Sequence, residues 1–206
     1  MILSVQGTDV DQYSDLIDQM FRMRATVFAE RLGWDVVVRN GRERDRFDGI
    51  DATYLLCVNE VGGLLRGAVR LLPTTGPNML RDVFPQLLAD RPIESPSVWE
   101  SSRFAVNPTF NEGRLDANRI VSLTTMELLC GLLEVAQSRG ATHIVSVFDA
   151  RMRRILRAAD CPYLTLGTPI RIGGTMTYAG LFDVSAAMRR RIGEAAGLHN
   201  PVVMWR

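Results

Sequence analysis

Apolar and polar positions follow two periods along this chain, one of about 3.6 residues and one of two residues. The helical period predicts helices at residues 10–32, 114–140 and 149–159, with short helical turns at 79–88. The period of two, and short runs of β-branched and aromatic residues, predict strands at residues 1–5, 52–59, 65–73, 98–106, 142–148 and 163–184. Glycine pairs at 62–63 and 173–174 predict two β-hairpins. Helices and strands interleaved in this order indicate an α+β fold, an α/β sandwich with a mixed sheet.

The composition is that of one globular domain spanning residues 1–206. The chain has 206 residues, of which 47% are hydrophobic and 23% charged, enough for a full-sized core. Residues 1–50 form a helical and charged-loop N-terminal part, and residues 185–206 show a basic turn at 189–191 and then little pattern, so the structure of this tail is left open. No apolar run is long enough for a membrane span, and the N-terminus lacks the layout of a signal peptide, so we expect a cytoplasmic protein.

Several kinds of site are disfavoured by the residue types present. The cysteines, Cys57, Cys130 and Cys161, are far apart and odd in number, which is typical of reduced, buried thiols. The histidines are His143 and His199 alone, without the spacing of a zinc site, so no metal is expected. The sequence has no lysine, which excludes mechanisms with a Schiff base or a lysine nucleophile.

Charged residues interrupt two of the predicted strands. Glu100 and Arg103 lie within the otherwise apolar run at 98–106, and Arg70 interrupts the strand at 65–73. A buried ion without a partner costs too much free energy to be tolerated. Either these side chains pair with opposite charges, or the strand lies at the edge of the sheet and carries a solvated ion pair. Residues 39–51 form a charged segment around Phe47 that could supply the partners; a solvated loop is the base expectation for such a run, and a binding loop is the alternative.

The net charge is unevenly distributed between the two parts of the chain. Residues 1–150 hold 15 arginines and 20 acidic residues, which gives −5, whereas residues 151–206 hold 9 and 3, which gives +6. One predicted helix carries a basic patch made of Arg151, Arg153, Arg154 and Arg157. This patch is either a docking site for an acidic partner or a solvated helix face without a binding role. The moderate overall pI and the lack of a recognised nucleic-acid-binding motif argue against nucleic acid as the partner.

The charged and aromatic positions together resemble a known family. The spaced set is Arg24, Phe28, Trp34, Asp45, Asp48, Arg70, Glu100 and Arg103, and Phe84 also fits. The runs Arg-Ala-Thr-Val-Phe, Glu-Arg-Asp-Arg-Phe-Asp, Val-Arg-Leu-Leu-Pro and Glu-Ser-Ser-Arg-Phe-Ala-Val are similar to the acyl-homoserine lactone synthases, the LuxI-type autoinducer synthases. The resemblance extends from about residue 1 to 180.

The resemblance implies a GNAT-like acyltransferase fold in which a mixed central sheet splays into a V that holds an acyl chain. It also implies two substrates, S-adenosylmethionine and an acyl thioester that is usually carried by acyl carrier protein, and a quorum-sensing lactone as the product. S-adenosylmethionine would be consumed, so no cofactor is expected. Residues 107–113 lack the glycine-rich pattern that binds pyrophosphate in ordinary GNAT enzymes, which argues against coenzyme A bound in that manner.

The family's site residues map onto this chain position by position. We expect the catalytic group to be Glu100, Asp45, Asp48, Arg70 and Arg103, with Glu100 as the base and Asp45 or Asp48 as alternatives. We expect the substrate to contact Arg24, Phe28, Trp34, Ser101, Ser102, Phe104 and Thr142. Three acidic residues and three arginines would hold a zwitterionic ligand; they are Asp45, Asp48 and Glu100 with Arg24, Arg70 and Arg103. Phe28 and Trp34 would cover the adenosine and the sulfonium. Thr142 would contact a 3-oxo group of the acyl chain.

Two other interpretations remain open at this point. A non-catalytic sensor of the same fold would bind an acyl group or nucleotide, and a GNAT N-acetyltransferase would use acetyl-coenzyme A. We expect no membrane partner and a monomer. The acyl chain length and the choice between carrier protein and coenzyme A are not readable from the residues.

Overall fold

The computed structural model describes residues 1–49, 51–59, 63–88, 92–108, 121–172 and 174–205. The strands are β1 (Ile2–Gln6), β2 (Val38–Arg39), β3 (Arg42–Glu43), β4 (Thr53–Val58), β5 (Leu65–Pro73), β6 (Val98–Val106), β7 (His143–Asp149), β8 (Leu164–Ile172), β9 (Thr175–Asp183) and β10 (Val203–Met204). The α-helices are α1 (Ser14–Arg24), α2 (Met79–Asp82), α3 (Leu123–Ser138), α4 (Ala150–Ala158) and α5 (Ala186–Ala196). Within the described ranges, no helix is long and apolar enough to cross a bilayer.

A mixed sheet forms the centre of the fold, as predicted. Its strand order is β10-β1-β4-β5-β6-β7-β9-β8, with β6 and β7 parallel and their neighbours β5 and β9 antiparallel to them. Both predicted hairpins are present, β4 with β5 and β8 with β9. Gly62 and Gly173, one residue of each predicted turn, lie outside the described residues, as do residues 114–120 of the helix predicted at 114–140.

The sheet splays between β6 and β7. These two strands pair only from Val98 to Ser101 and from His143 to Ser146. Beyond that point β6 continues to Val106 against β5, and β7 continues to Asp149 against β9. A cleft therefore opens between two strands that both remain anchored on their outer edges, which confirms the predicted V-shaped sheet.

Helices cover both faces of the sheet, and the strand residues alternate between them. Leu55 and Cys57 of β4 face the core built by α3 and α5, whereas Tyr54 and Leu56 face the core built by α1. This alternation follows from the two-residue period of a strand. Helix α3 is apolar around most of its circumference because it lies under the sheet and is covered by α5.

The C-terminal segment contains α5 and β10, and the turn predicted at residues 189–191 was wrong because α5 runs through them. Ser185 caps α5 by accepting a hydrogen bond from the Met188 N–H, and Gly197 ends the helix at φ = 73°. Ser and Gly are common at these two positions, so the boundaries were readable. The arginines at 189–191 suggested a turn because they conceal the apolar stripe of Met188, Ile192 and Ala196.

Candidate active site

A cluster of buried ion pairs lies beside the splay, and Arg24 is its deepest cation. Arg24 occupies the last turn of α1, and its side chain is 1% exposed. Its Nε donates to Glu43 Oε2 at 2.6 Å, and its Nη1 and Nη2 donate to the two oxygens of Asp48 at 2.8 and 2.9 Å. This forked contact satisfies most of the guanidinium donors at once, which makes burial of the charge tolerable.

Arg70 connects the cluster to the sheet. It projects from β5, and its Nη1 and Nη2 donate to the two oxygens of Asp45 at 2.6 and 3.0 Å. Its Nη1 also donates to Asp48 at 2.8 Å, and its Nε donates to Ser102 Oγ at 3.2 Å. Burial disfavours the Asp48 carboxylate, but the hydrogen bond and charge of Arg24 and the charge of Arg70 prevail, so the pKa of Asp48 lies below its usual value.

Arg103 faces the cleft from β6. Its Nη2 lies 2.9 Å from Asp45 Oδ2 and 3.1 Å from Glu43 Oε1. The residue has a positive φ of 54°, and the pairing register between β5 and β6 shifts here, with Ala68 opposite Ala105 but Arg70 opposite Ser102. One extra residue on β6 forms a β-bulge, which turns the Arg103 side chain toward the cluster and leaves backbone groups outside the ladder.

Glu43, which sequence reasoning did not select, is the third carboxylate of the cluster. Among the described residues, the cluster consists of Arg24, Arg70, Arg103, Glu43, Asp45 and Asp48. Glu43 is fully buried at the end of β3, so the expectation that residues 39–51 form a solvated loop was wrong. A signal was available, because Glu43 alternates with Asp45 across Arg44 in the charged segment.

Glu100 does not belong to the ion-pair cluster, and its predicted place among the three paired acids was wrong. Its Oε2 accepts the Met79 N–H at 2.9 Å and its Oε1 accepts the Leu80 N–H at 2.5 Å, at the start of α2. Glu100 is buried, and burial raises the pKa of its carboxyl group to about 7, although the two backbone hydrogen bonds act in the opposite direction. The group is therefore poised to exchange a proton near neutral pH.

A cavity of about 890 Å³ passes through the splay between β6 and β7. At one end its lining is polar and aromatic, with Trp34, Asp45 and Arg103, and at the other it is apolar, with residues of α3, α4 and α5. Glu100, Ser101, Ser102 and Phe104 of β6 line its middle, and Phe84 also lines it. The ionisable carboxyl of Glu100 is thus placed between a charged compartment and an apolar one.

The aromatic pair predicted for the adenosine end is assembled as a stack. The rings of Phe28 and Trp34 lie 5.1 Å apart with an interplanar angle of 18°. The Arg103 guanidinium carbon lies 5.4 Å from the Phe28 ring centroid. Trp34 is 41% exposed, so it provides an accessible aromatic face at the polar mouth of the cavity.

Several predicted residues stand behind or outside the cavity lining. Arg24, Phe28, Asp48 and Arg70 support the residues that line it. Thr142 is not brought to the cavity, because it is exposed before β7, where its Oγ1 contacts the Ser97 carbonyl and His143 Nδ1. Ser146, four residues farther along the chain in β7, does line the cavity.

The basic helix α4 is an exposed surface, as a docking role would require. Arg151, Arg153, Arg154 and Arg157 are all exposed, and Arg151 also lines the cavity. Arg153 lies over the Tyr178 ring at 4.9 Å and donates to its hydroxyl at 3.2 Å. Asp149 caps the helix by accepting a hydrogen bond from the Met152 N–H.

Comparisons with known proteins agree with this geometry. A sequence model described as autoinducer synthase matches residues 8–192. An acyl-homoserine-lactone synthase of Agrobacterium fabrum is 41% identical over 187 residues, 90% of this chain and 87% of that protein. The structure of BjaI, a CoA-dependent acyl-homoserine lactone synthase with SAM and isopentyl-CoA, gives a TM-score of 0.85 at 27% identity, over 99% of this chain and 92% of that one. FeeM, an N-acyl amino acid synthase from uncultured soil microbes, is similar in fold alone, with a TM-score of 0.59 at 16% identity over 82% of this chain and 91% of that one.

Proposed function

The chain belongs to the acyl-homoserine lactone synthase family and is an enzyme of that type, and from this premise we propose its substrates, its reaction steps and the residues that carry them. It takes S-adenosylmethionine and an acyl thioester and releases N-acyl-homoserine lactone and methylthioadenosine. S-adenosylmethionine is a consumed substrate here. The observation that supports this proposal best is the position of Glu100, between a charged compartment and an apolar compartment of one cavity.

The methionine end of S-adenosylmethionine binds at the Asp45–Arg103 edge of the cluster. These two residues line the cavity, and their charges complement the α-ammonium and the α-carboxylate of the ligand. Trp34 covers the sulfonium and the adenosine, because a cation over an aromatic face gains about 0.5–2 kcal/mol. Arg24, Arg70 and Asp48 hold this edge in place from behind.

In the first step the α-amino nitrogen attacks the thioester carbonyl. The amine has a reference pKa of about 8, so a base with a pKa of about 7 is suited to removing its proton. Glu100 takes that proton and the new N–C bond forms. The C–S bond then breaks, and the second proton of the nitrogen passes to the departing sulfur, so that the carrier leaves as a thiol. Backbone N–H groups of residues 101–104, where the β-bulge removes part of β6 from the ladder, stabilise the oxyanion.

In the second step the methionine carboxylate attacks its own γ-carbon. A C–O bond forms, the C–S bond to the sulfonium breaks, and methylthioadenosine leaves as a neutral thioether. The carboxylate is already ionised and the sulfonium is already an activated leaving group, so no further proton transfer is needed. Positioning by the ion-pair cluster supplies most of the rate enhancement of this step.

The acyl thioester enters from the side of α4. The exposed arginines of α4 favour acyl carrier protein, an acidic protein, as the donor. Acyl-CoA is the alternative donor, supported by the likeness to BjaI, whose structure is described with isopentyl-CoA. The two donors carry the same pantetheine thioester, so both would present the acyl group in the same orientation.

The test is to incubate the purified protein with S-adenosylmethionine and panels of acyl-carrier-protein and acyl-CoA thioesters, followed by mass spectrometry. We expect release of lactone and methylthioadenosine in equal amounts, and only when a thioester is present. Binding of S-adenosylmethionine without turnover on any thioester would instead favour the non-catalytic sensor. Transfer of acetyl groups to other amines without methylthioadenosine would favour an N-acetyltransferase.

A further inference from the structure

The apolar end of the cavity is closed by the C-terminal helix α5. Met188 and Ile192 lie one helical turn apart, and both line the cavity. Ile192 is only 1% exposed, so its side chain borders the interior of the cavity and not a mouth. The arginines at 189–191 occupy the other faces of the same helix turn.

The residues around Ile192 at this end are apolar and buried. Leu133 of α3, Leu156 of α4, Phe182 of β9 and Cys161 all line the cavity, and none is more than 8% exposed. Burial raises the pKa of the Cys161 thiol to about 12, so it stays neutral and behaves as a small apolar group. An occupant of this end must therefore be a hydrocarbon.

Helix α5 is fixed in place by a polar clamp on its outer side. Arg189 Nε donates to Glu134 Oε1 of α3 at 2.6 Å. Its Nη1 and Nη2 donate to the carbonyls of Leu198 and Asn200 at 3.0 and 2.8 Å. Glu134 Oε2 also accepts the Val203 N–H at 3.0 Å, which ties β10, the strand after α5, to α3. These contacts anchor α5 to α3 and to the segment that follows α5.

We propose that Met188 and Ile192 set the length of the acyl chain that this enzyme accepts. The inference depends on the proposed function, because it assigns the acyl group to the apolar end of the cavity. A terminal methyl that reaches Ile192 meets a buried side chain on an anchored helix, so each further methylene meets steric resistance. One methylene in such a pocket changes kcat/KM on the order of ten-fold or more.

The experiment measures kcat/KM for a series of acyl thioesters of increasing length, in the parent protein and in three variants. Ile192→Ala removes bulk at the closed end and is expected to favour acyl chains longer by two carbons, by about ten-fold relative to the parent's preferred chain. Met188→Phe adds bulk and is expected to shift the preference to shorter chains. Ile17→Ala is the matched control, because Ile17 is a buried isoleucine in the core under α1 and lies outside the cavity lining.

Opposite shifts in Ile192→Ala and Met188→Phe, with the preference of Ile17→Ala unchanged and the KM for S-adenosylmethionine constant, would support the inference. Lactone synthesis with the same chain-length preference in all four proteins would overturn the inference and leave the proposed function intact. The absence of lactone from the parent protein with every donor would overturn both.

Discussion

Replacing Glu100 with glutamine should change how the stability of this protein depends on pH. Burial raises the pKa of the Glu100 carboxyl from its ordinary value of 4.5 to about 7. The folded protein therefore holds this proton more tightly than the unfolded chain does. The stability that the protonated carboxyl contributes is complete below pH 4.5, falls as the pH rises toward 7, and is lost above it. Glutamine does not titrate, so Glu100→Gln should lack this part of the pH dependence.

The magnitude follows from the two pKa values. For values of 4.5 and about 7, the linkage relation gives a loss of stability of about 1 kcal/mol at pH 5 and about 3 kcal/mol at pH 8. Between these pH values the parent protein should lose about 2–3 kcal/mol more than the variant. Glutamine has one acceptor oxygen for the two N–H groups of Met79 and Leu80, so the variant should be less stable than the parent at pH 5, by about 1–3 kcal/mol.

The assay is urea unfolding of both proteins at pH 5 and pH 8, with Glu94→Gln as the control because Glu94 is a carboxylate with a 62% exposed side chain. All other ionisable groups cancel in the comparison between parent and variant. Equal losses of unfolding free energy in the parent protein and in Glu100→Gln would refute the reasoning. In activity assays of the same two proteins, kcat/KM of the parent should rise with pH through about 7. If Glu100 is the base, kcat/KM of Glu100→Gln should be lower on the order of 10²–10⁴-fold.

Three further predictions concern the cluster, the aromatic mouth and α4. Glu43→Gln removes the charge shared by Arg24 and Arg103, and should lower the free energy of unfolding by about 3–5 kcal/mol in urea titrations; an effect below about 1 kcal/mol would contradict this. Trp34→Ala should raise the KM for S-adenosylmethionine by about 2–30-fold in initial-rate measurements, with little change in thermal stability because the ring is half-exposed. Arg154→Glu should raise the KM for acyl carrier protein but not for acyl-CoA, and about 0.5 M salt should remove the difference; equal effects on both donors would exclude a docking role.

The strands and hairpins were predictable because their signal is local. A period of two residues and a glycine pair at each turn are read within one short window. The helix α5 was not predicted, because its apolar stripe has only a few members and three consecutive arginines lie between them. Its value to the fold comes from contacts with α3 across the sheet face, and such contacts cannot be read from a local window.

The charged site was predictable in its existence but not in its pairing. The cost of burying a charge required partners for Arg70 and Arg103, and the upstream segment supplied them. The sequence reading placed Glu100 in the same ionic set as Arg103. In a regular strand, residues three apart point to opposite faces, so that grouping needed an irregular strand. The β-bulge at Arg103 is that irregularity. The carboxylate that pairs with Arg103 is nevertheless Glu43 and not Glu100.

The ion-pair cluster adds little net free energy of folding, and its arrangement indicates that it positions ligand-binding groups instead. Glu43 and Arg24 are inaccessible, whereas the side chains of Asp45 and Arg103 are 15% and 8% exposed at the cavity. Buried ion pairs roughly offset their own desolvation, so this set is not needed for folding energy. We infer that the inaccessible pairs hold Asp45 and Arg103 at a fixed separation, where each can exchange its partner for a charged group of the ligand. A ligand bound in this way loses its freedom of orientation before the reaction, and that is the contribution a lactonisation without an external base requires.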